Sequence, residues 1–376
     1  MSTNIVDQDI DVFSTEATNT AININAVINP PCAFDKNIHY LPSDLIKLFG
    51  ADKNTLLRKE KAKKIPGAIR IKKGGVECRA WTIDQLPLIG EELGFLKKID
   101  FNYVISVFTL KGGTLKTSLA FQLARLIALH NMKVLVIGLD VQESITGIIQ
   151  GVRHFKESDT WDEDSIINSP KGLYHALVEN TPLRDVIQKT DLPTLDYIPE
   201  TLELSILDRW LKLQRNQETI IKNKIVSKLK NEYNFVIFDC NPSWDTIVDN
   251  ALESSNILLS PMTCSSDTYR AMKTFSKLIR DYTKETKTFK LFKVIPTRKK
   301  NTKVSTIIEA KFRTEYSEFC TNTSIRDSVL AEESNTLGKS LIELSYKQGL
   351  AQDYVDFAKE FIDQISLLEV EVHKCQ

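Results

Sequence analysis

Paired cysteines are missing from this 376-residue chain. Cys32, Cys78, Cys240, Cys264, Cys320 and Cys375 are scattered with no CxxC spacing, which speaks against a structural zinc or an iron-sulfur cluster and reads as six free thiols. Long apolar runs are missing as well. No stretch approaches the ~18 residues of a bilayer-crossing helix, and the opening MSTNIVDQDIDVFSTEATNT is acidic and polar, unlike a signal or transit peptide. A cytoplasmic protein without a membrane role is the expectation. Histidines 39, 130, 154, 175 and 373 have neither metal-ligand nor triad spacing and read as surface or packing residues. Net charge is absent too, since 49 basic side chains balance 49 acidic ones.

What is present is enough hydrophobic residue, 42% of the chain, to bury the cores of roughly two domains. The balanced charge is unevenly spread. Residues 1–35 contain no Lys or Arg and five acids, whereas residues 36–98 carry fourteen basic against seven acidic side chains. Three parts are therefore expected: a flexible acidic segment over 1–36, a basic module over 37–98, and a larger domain over 99–376. No internal repeat or low-complexity tract stands out, and the charged stretch HFKESDTWDEDS (154–165) reads as a surface insertion.

The basic block has a pattern. PSDLIKLFG gives a short amphipathic helix ending at Gly50, and NTLLRKEKAKK a second helix stopped by Pro66-Gly67. AIRIKKGGVECRAWT reads as a hairpin turning at Lys72-Lys73-Gly74-Gly75. Thr82 and Gln85 form a capping box for a closing helix, to which Pro87 is the one objection. Helix, helix, wing and helix describe a winged helix-turn-helix, with Lys53, Asn54, Arg58, Lys61 and Lys64 on the helix facing a major groove and Lys72, Lys73 and Arg79 near phosphates. The alternative is a basic adaptor that touches no DNA.

From residue 100 short β-rich runs, YVISVFT, KVLVIGL, FVIFDC, NILLSP and KLFKVIP, alternate with helical segments, as in an α/β parallel sheet covered on both faces. The first run feeds KGGTLKTS, residues 111–118. Gly112 and Gly113 allow a sharp turn, and a helix starting at Thr117 would put phosphate at its N-terminus. In this loop Lys116 has the position that reaches the β and γ phosphates of ATP, and Thr117 the position whose hydroxyl ligates Mg2+. Leu115 stands where the general pattern has glycine. Asp140 and Asp239 each follow a buried strand, at the edge where open α/β sheets bind ligands. Asp140 suits water positioning, and Asp239 an outer-sphere Mg2+ role.

These residues resemble a family. KGGTLKTS looks like the deviant Walker A box K-G-G-x-x-K-[ST]-[ST] of ParA-type partition ATPases, GLDVQ like their D-x-D-P-Q segment, and DCNPS like their D-x-x-P-S region. In that comparison Gly138 replaces the first Asp and Val141 the Pro. The resemblance covers roughly residues 100–370, and the basic block is similar to the N-terminal operator-binding domain of longer plasmid and phage members. It implies a deviant P-loop NTPase fold and a slow, partner-stimulated, Mg2+-dependent ATPase. The nucleotide would be cradled by Lys111, Gly112, Gly113, Thr114, Leu115, Lys116, Thr117 and Ser118, with Lys111 reaching across an ATP-bridged homodimer while Lys116 acts in cis. It implies a ParB-like centromere-binding partner, nucleoid association, and non-specific DNA binding through Arg298, Lys299, Lys300, Lys303, Arg326 and Lys339. A MinD-like positioning ATPase would end in a basic membrane helix, whereas EFIDQISLLEVEVHKCQ is acidic. A DNA-binding repressor that has lost ATPase activity is the alternative from another class, and the retention of Lys111, Lys116, Thr117, Asp140 and Asp239 speaks against it.

Overall fold

The computed structural model describes residues 38–142, 144–151, 170–229, 231–286, 289–345 and 349–374; the acidic segment 1–36 and the charged stretch 154–165 lie outside them. Helix α1 (Pro42–Phe49) opens on a proline, whose missing amide has no helical partner at that position, and closes at Gly50 with φ 69°. Asp52 caps α2 (Lys53–Lys61) by accepting the Thr55 amide at 2.9 Å. The helix ends before the Pro66-Gly67 pair. Lys63 turns left-handed at φ 55°, and the amides of Lys63 and Lys64 bond back to the Glu60 and Lys59 carbonyls. Lys64, assigned to this helix from the sequence, thus lies in the turn beyond it.

Strands β2 (Ile69–Lys73) and β3 (Val76–Thr82) form the expected antiparallel hairpin, with Gly74 and Gly75 at φ 58° and 81° supplying the turn. The short β1 (His39–Tyr40) adds to the other edge of β3. The Thr82 amide donates to Gln85 Oε1 at 3.0 Å over a 3-10 turn, after which α3 (Leu86–Leu93) begins. Pro87 falls in the first turn of α3, where it is tolerated.

The remainder is built on a seven-stranded sheet. Its strands are β4 (Tyr103–Val107), β5 (Val134–Gly138), β6 (Gln188–Lys189), β7 (Leu195–Ile198), β8 (Phe235–Asp239), β9 (Ile257–Thr263) and β10 (Leu291–Thr297), in the order β10-β9-β4-β8-β5-β7-β6. Every pairing is parallel except that of β6 with β7. The five strands read from the sequence are all present. Alternate residues of the inner strands feed two cores: Ile105, Val134, Val136 and Ile237 on one face, and Leu135, Ile137, Val236 and Phe238 on the other.

Helix α4 (Lys116–Leu129), directly after β4, is buried at 13 of its 14 positions, so its polar residues must find partners inside the protein. They do. Gln122 donates to Ser334 Oγ at 2.6 Å and accepts the Leu341 amide at 2.9 Å. Arg125 binds Asp191 through two 2.8 Å bonds and also holds Glu343. These bonds fasten α10 (Leu330–Leu337) and α11 (Leu341–Ser345) to α4.

The basic N-terminal elements share a core with this domain. Leu45, Phe49, Leu56, Trp81, Leu86 and Ile89 belong to the same hydrophobic cluster as Leu119, Phe121 and Leu126 of α4. At the junction His130 donates from Nδ1 to the Leu126 carbonyl at 2.7 Å and accepts the Phe95 amide on Nε2 at 3.1 Å. Burial pushes its pKa down to about 4, so the imidazole stays neutral. Gly90 of α3 lies so close that a Cβ would overlap the Leu129 carbonyl oxygen. Gly90→Ala can be accommodated only by lifting α3 from α4, at a cost of about 1–3 kcal/mol. Urea denaturation measures that loss, and an unchanged midpoint would contradict the close seating.

Candidate active site

The loop between β4 and α4 is closed on itself. Lys116 Nζ donates to the Lys111 carbonyl at 3.2 Å and Thr114 Oγ1 to the same oxygen at 3.3 Å. From the end of β10, Thr297 Oγ1 donates to the Thr114 carbonyl at 3.0 Å. Lys111, Gly112 and Gly113 are exposed while Thr114 and Lys116 are buried. The helix starts at Lys116, one residue before the expected Thr117. Leu115 adopts φ 70°, ψ 30°, the left-handed conformation that glycine takes freely. The general glycine is thus a backbone requirement that this chain meets with leucine, at a strain of roughly 1–2 kcal/mol, while the side chain packs against the core.

Burial lowers the Lys116 pKa, and the charges of Asp239, Cys240 and Asp140 counter that shift. The Asp239 carboxyl ends β8, across the sheet from Gly138. It is 1% exposed, and its two oxygens have no hydrogen-bond partner of ordinary geometry among the described residues. Burial pushes it up to about 7, opposed by the Thr117 side chain and the Lys116 charge and assisted by Asp140. An unsatisfied buried carboxylate beside a threonine at a helix N-terminus fits a hydrated divalent cation.

Asp140 lies just past β5, half-buried, its Oδ1 accepting the Gln142 amide at 3.1 Å. A cleft lined by Asp140, Leu204, Asp208, Asn241 and Asp245 opens beside it. A third carboxylate, Glu200, was not anticipated. It follows β7, is 1% exposed, and is pushed up to about 8 by burial first and by the Asp239 charge second. The signal was hidden because β7, four residues long, is too short to stand out as a strand.

The family model described as an AAA domain matches residues 102–291, half of the chain. Cell division protein PomZ of Myxococcus xanthus is 27% identical over 260 residues, 69% of this chain and 74% of that protein. Plasmid partition protein A of Escherichia coli is 27% identical over 177 residues, 43% of this chain and only 42% of that protein's length. The chain belongs to the ParA-type partition ATPases, within the AAA-domain family. In fold it is similar to the ATP complex of Cyanothece McdA, with a TM-score of 0.59 at 19% identity over 69% of this chain and 96% of that one.

In this ParA-type chain the basic residues singled out for DNA fall into two groups. Lys53, Asn54, Arg58, Lys61, Lys64, Lys72 and Lys73 are exposed, whereas Arg79 is half-buried and ion-paired to Glu60 of α2, tying hairpin to helix. Helix α9 spans Lys303–Glu315 and α12 Gly349–Lys374. Lys299 pairs with Glu309 at 2.7 Å, Arg326 is held by both Asp353 oxygens at 2.7 Å, and Arg298 and Lys300 approach Asp327 at 3.7 and 3.5 Å. Lys303 is exposed at the start of α9, and Lys339 is half-buried just after α10. Much of the second basic group therefore has an internal carboxylate partner.

The raised Asp239 pKa sets the sign of a pH effect. Between about 4 and 7 the folded carboxyl keeps a proton that the unfolded one has lost, so its contribution makes the protein less stable as pH rises through that window. Asp239→Asn removes this contribution. In chelator and without nucleotide, the variant should gain about 2 kcal/mol over the wild type between pH 5 and pH 8. Equal differences at both pH values, read from urea midpoints, would mean that Asp239 is ionised throughout.

Proposed function

We propose that this protein is an ATP-dependent DNA-segregation ATPase of a plasmid, phage or other low-copy replicon. The observation that carries the reading is the convergence of Lys116, Thr117, Asp140 and Asp239 on one loop, with Lys111 exposed at its outer lip. Among the described residues Lys116 has one hydrogen-bond acceptor, the Lys111 carbonyl, for three ammonium protons, and would exchange it for the β and γ phosphates of ATP. Thr117 and Asp239 would hold Mg2+, which when bound neutralises phosphate charge. Asp140, on the rim of the cleft, orients the attacking water. Lys111 has no place against its own phosphates in this scheme and serves those of a second subunit, so ATP bridges a homodimer.

The exposed residues of α2 and the hairpin support a winged helix that reads operator DNA and represses the protein's own operon. Lys300 and Lys303, with neighbours whose carboxylates must partly release them, contact arbitrary duplex through phosphates. A ParB-like protein would stimulate hydrolysis at the nucleoid. The likeness to PomZ supports a second reading, in which the same ATP cycle positions a cell-division apparatus rather than a replicon.

Lys116→Ala should abolish nucleotide binding and Asp140→Ala should bind ATP without hydrolysing it. Lys111→Ala should weaken ATP-dependent dimerisation while leaving monomer affinity within a few-fold. Mixing Lys111→Ala with Asp140→Ala creates hybrid dimers with one site that has Asp140 and receives Lys111 from its partner, so activity should return. A monomer in ATP by sedimentation, with no recovery on mixing, would sink the bridged-dimer mechanism.

DNA binding should divide by residue. Because residues 38–98 share a core with the ATPase domain, charge reversal is a cleaner test than truncation. Lys72→Glu with Lys73→Glu should erase an operator footprint and spare ATP-stimulated binding to random duplex. Lys300→Glu with Lys303→Glu should do the reverse and lower the salt slope by about 2. If both pairs affect only one mode, the two-surface assignment fails.

A further inference from the structure

Gly138 ends β5 opposite Asp239, at the position where the D-x-D-P-Q segment has its first aspartate. The space a side chain would need there is filled. A Cβ on Gly138 would overlap the Cγ and Cδ of Glu200, which arrives from the neighbouring strand β7. Glu200 Oε1 accepts the Asp140 amide at 3.2 Å, and Oε2 accepts the amides of Ile145 at 3.0 Å and Thr146 at 3.2 Å. Its own amide donates to Thr146 Oγ1 at 2.8 Å. Every one of these bonds goes to the segment that starts at Asp140 and runs into α5 (Ser144–Gln150).

We infer that Glu200 is the positioning carboxylate of the hydrolytic site: from β7 it fills the place left by Gly138 on β5 and fixes the backbone that carries Asp140. The inference rests on the assignment of ATP hydrolysis to this loop. Two backbone anchors, at 140 and at 145–146, are needed because Asp140 sits past the end of its strand, where the sheet no longer holds it. Three amide donors favour the ionised form against the burial and Asp239 charge that push the pKa up; in that form both oxygens accept, whereas glutamine would turn one acceptor into a donor facing amide hydrogens. Glutamate at 200 therefore requires glycine at 138, where any Cβ would overlap its side chain.

Glu200→Gln tests the anchor. ATP affinity should stay within about threefold, because the Lys116 loop is untouched, while kcat should fall on the order of 100-fold from misplacement of Asp140. Glu200→Ala should behave alike, and adding Gly138→Asp to Glu200→Ala, which has the room, should recover at least tenfold of the lost kcat. A purely structural cap predicts otherwise: a lower melting temperature, unchanged kcat per folded molecule and no rescue. Such a result overturns the proposal. Hydrogen exchange of the amides of residues 140, 145 and 146 in the nucleotide-free protein gives a readout independent of hydrolysis. It should accelerate at least tenfold in Glu200→Gln, and an unchanged rate would overturn the inference even in an active enzyme. Absence of ATPase activity in the wild type would instead defeat the assignment of hydrolysis while the exchange result still stood.

Discussion

A guanidinium buried in the middle of the phosphate-loop helix is the constraint on which the rest of this molecule depends. Arg125 is 2% exposed, and a charge at such depth is tolerable only when nearly every donor is satisfied. Asp191 meets it from the turn before β7 and Glu343 from α11. Removing either partner would leave an unbalanced charge in the core, a loss of about 3–5 kcal/mol. The triad therefore binds together three segments far apart in sequence, and it does so on the helix whose first residue is Lys116. The polar neighbour Gln122, one turn earlier, repeats the same fastening to α10 and α11. Polar satisfaction in the helix thus fastens the element that carries the loop to segments from elsewhere in the chain.

In front of this helix the site holds unfavourable features. Leu115 is left-handed, Asp239 is buried with neither oxygen in a hydrogen bond of ordinary geometry among the described residues, and Glu200 lies within the field of Asp239 and Asp140. Each raises the energy of the folded protein. Such local costs concentrate where ligand binding offsets them.

The same helix also joins the two ends of the protein. Its N-terminus frames the phosphate loop, and at its C-terminal end Gly90, His130 and Phe95 seat α3 against it without a gap. The basic elements of the N-terminal region are thus carried on the frame that carries the nucleotide site, not tethered to it by a loose linker. One continuous hydrophobic cluster from Tyr40 to Ile365 embodies that connection.

Local chemistry made much of this legible in the linear chain. Five strands, the hairpin at Gly74-Gly75, the helix end at Gly50 and the loop from Lys111 to Ser118 depend on residue type and short-range periodicity, and each reads directly. What misled or stayed silent was set by one local turn and otherwise by contacts between distant segments. Helix α2 ends early because Lys63 turns left-handed, and Lys64 leaves the helix with it. β7 has only four residues, and it is a strand because β5 lies beside it. Arg79, Lys299 and Arg326 look like surface charges in one dimension and acquire the carboxylates of Glu60, Glu309 and Asp353 in three. Gly138 reads as a defect in a motif until the sheet brings Glu200 into its place. The sequence by itself determined the loop, the lysines and the aspartates that follow their strands; tertiary structure alone decided which carboxylate stands behind them, because a side chain 62 positions away along the chain becomes a neighbour only when parallel strands pair.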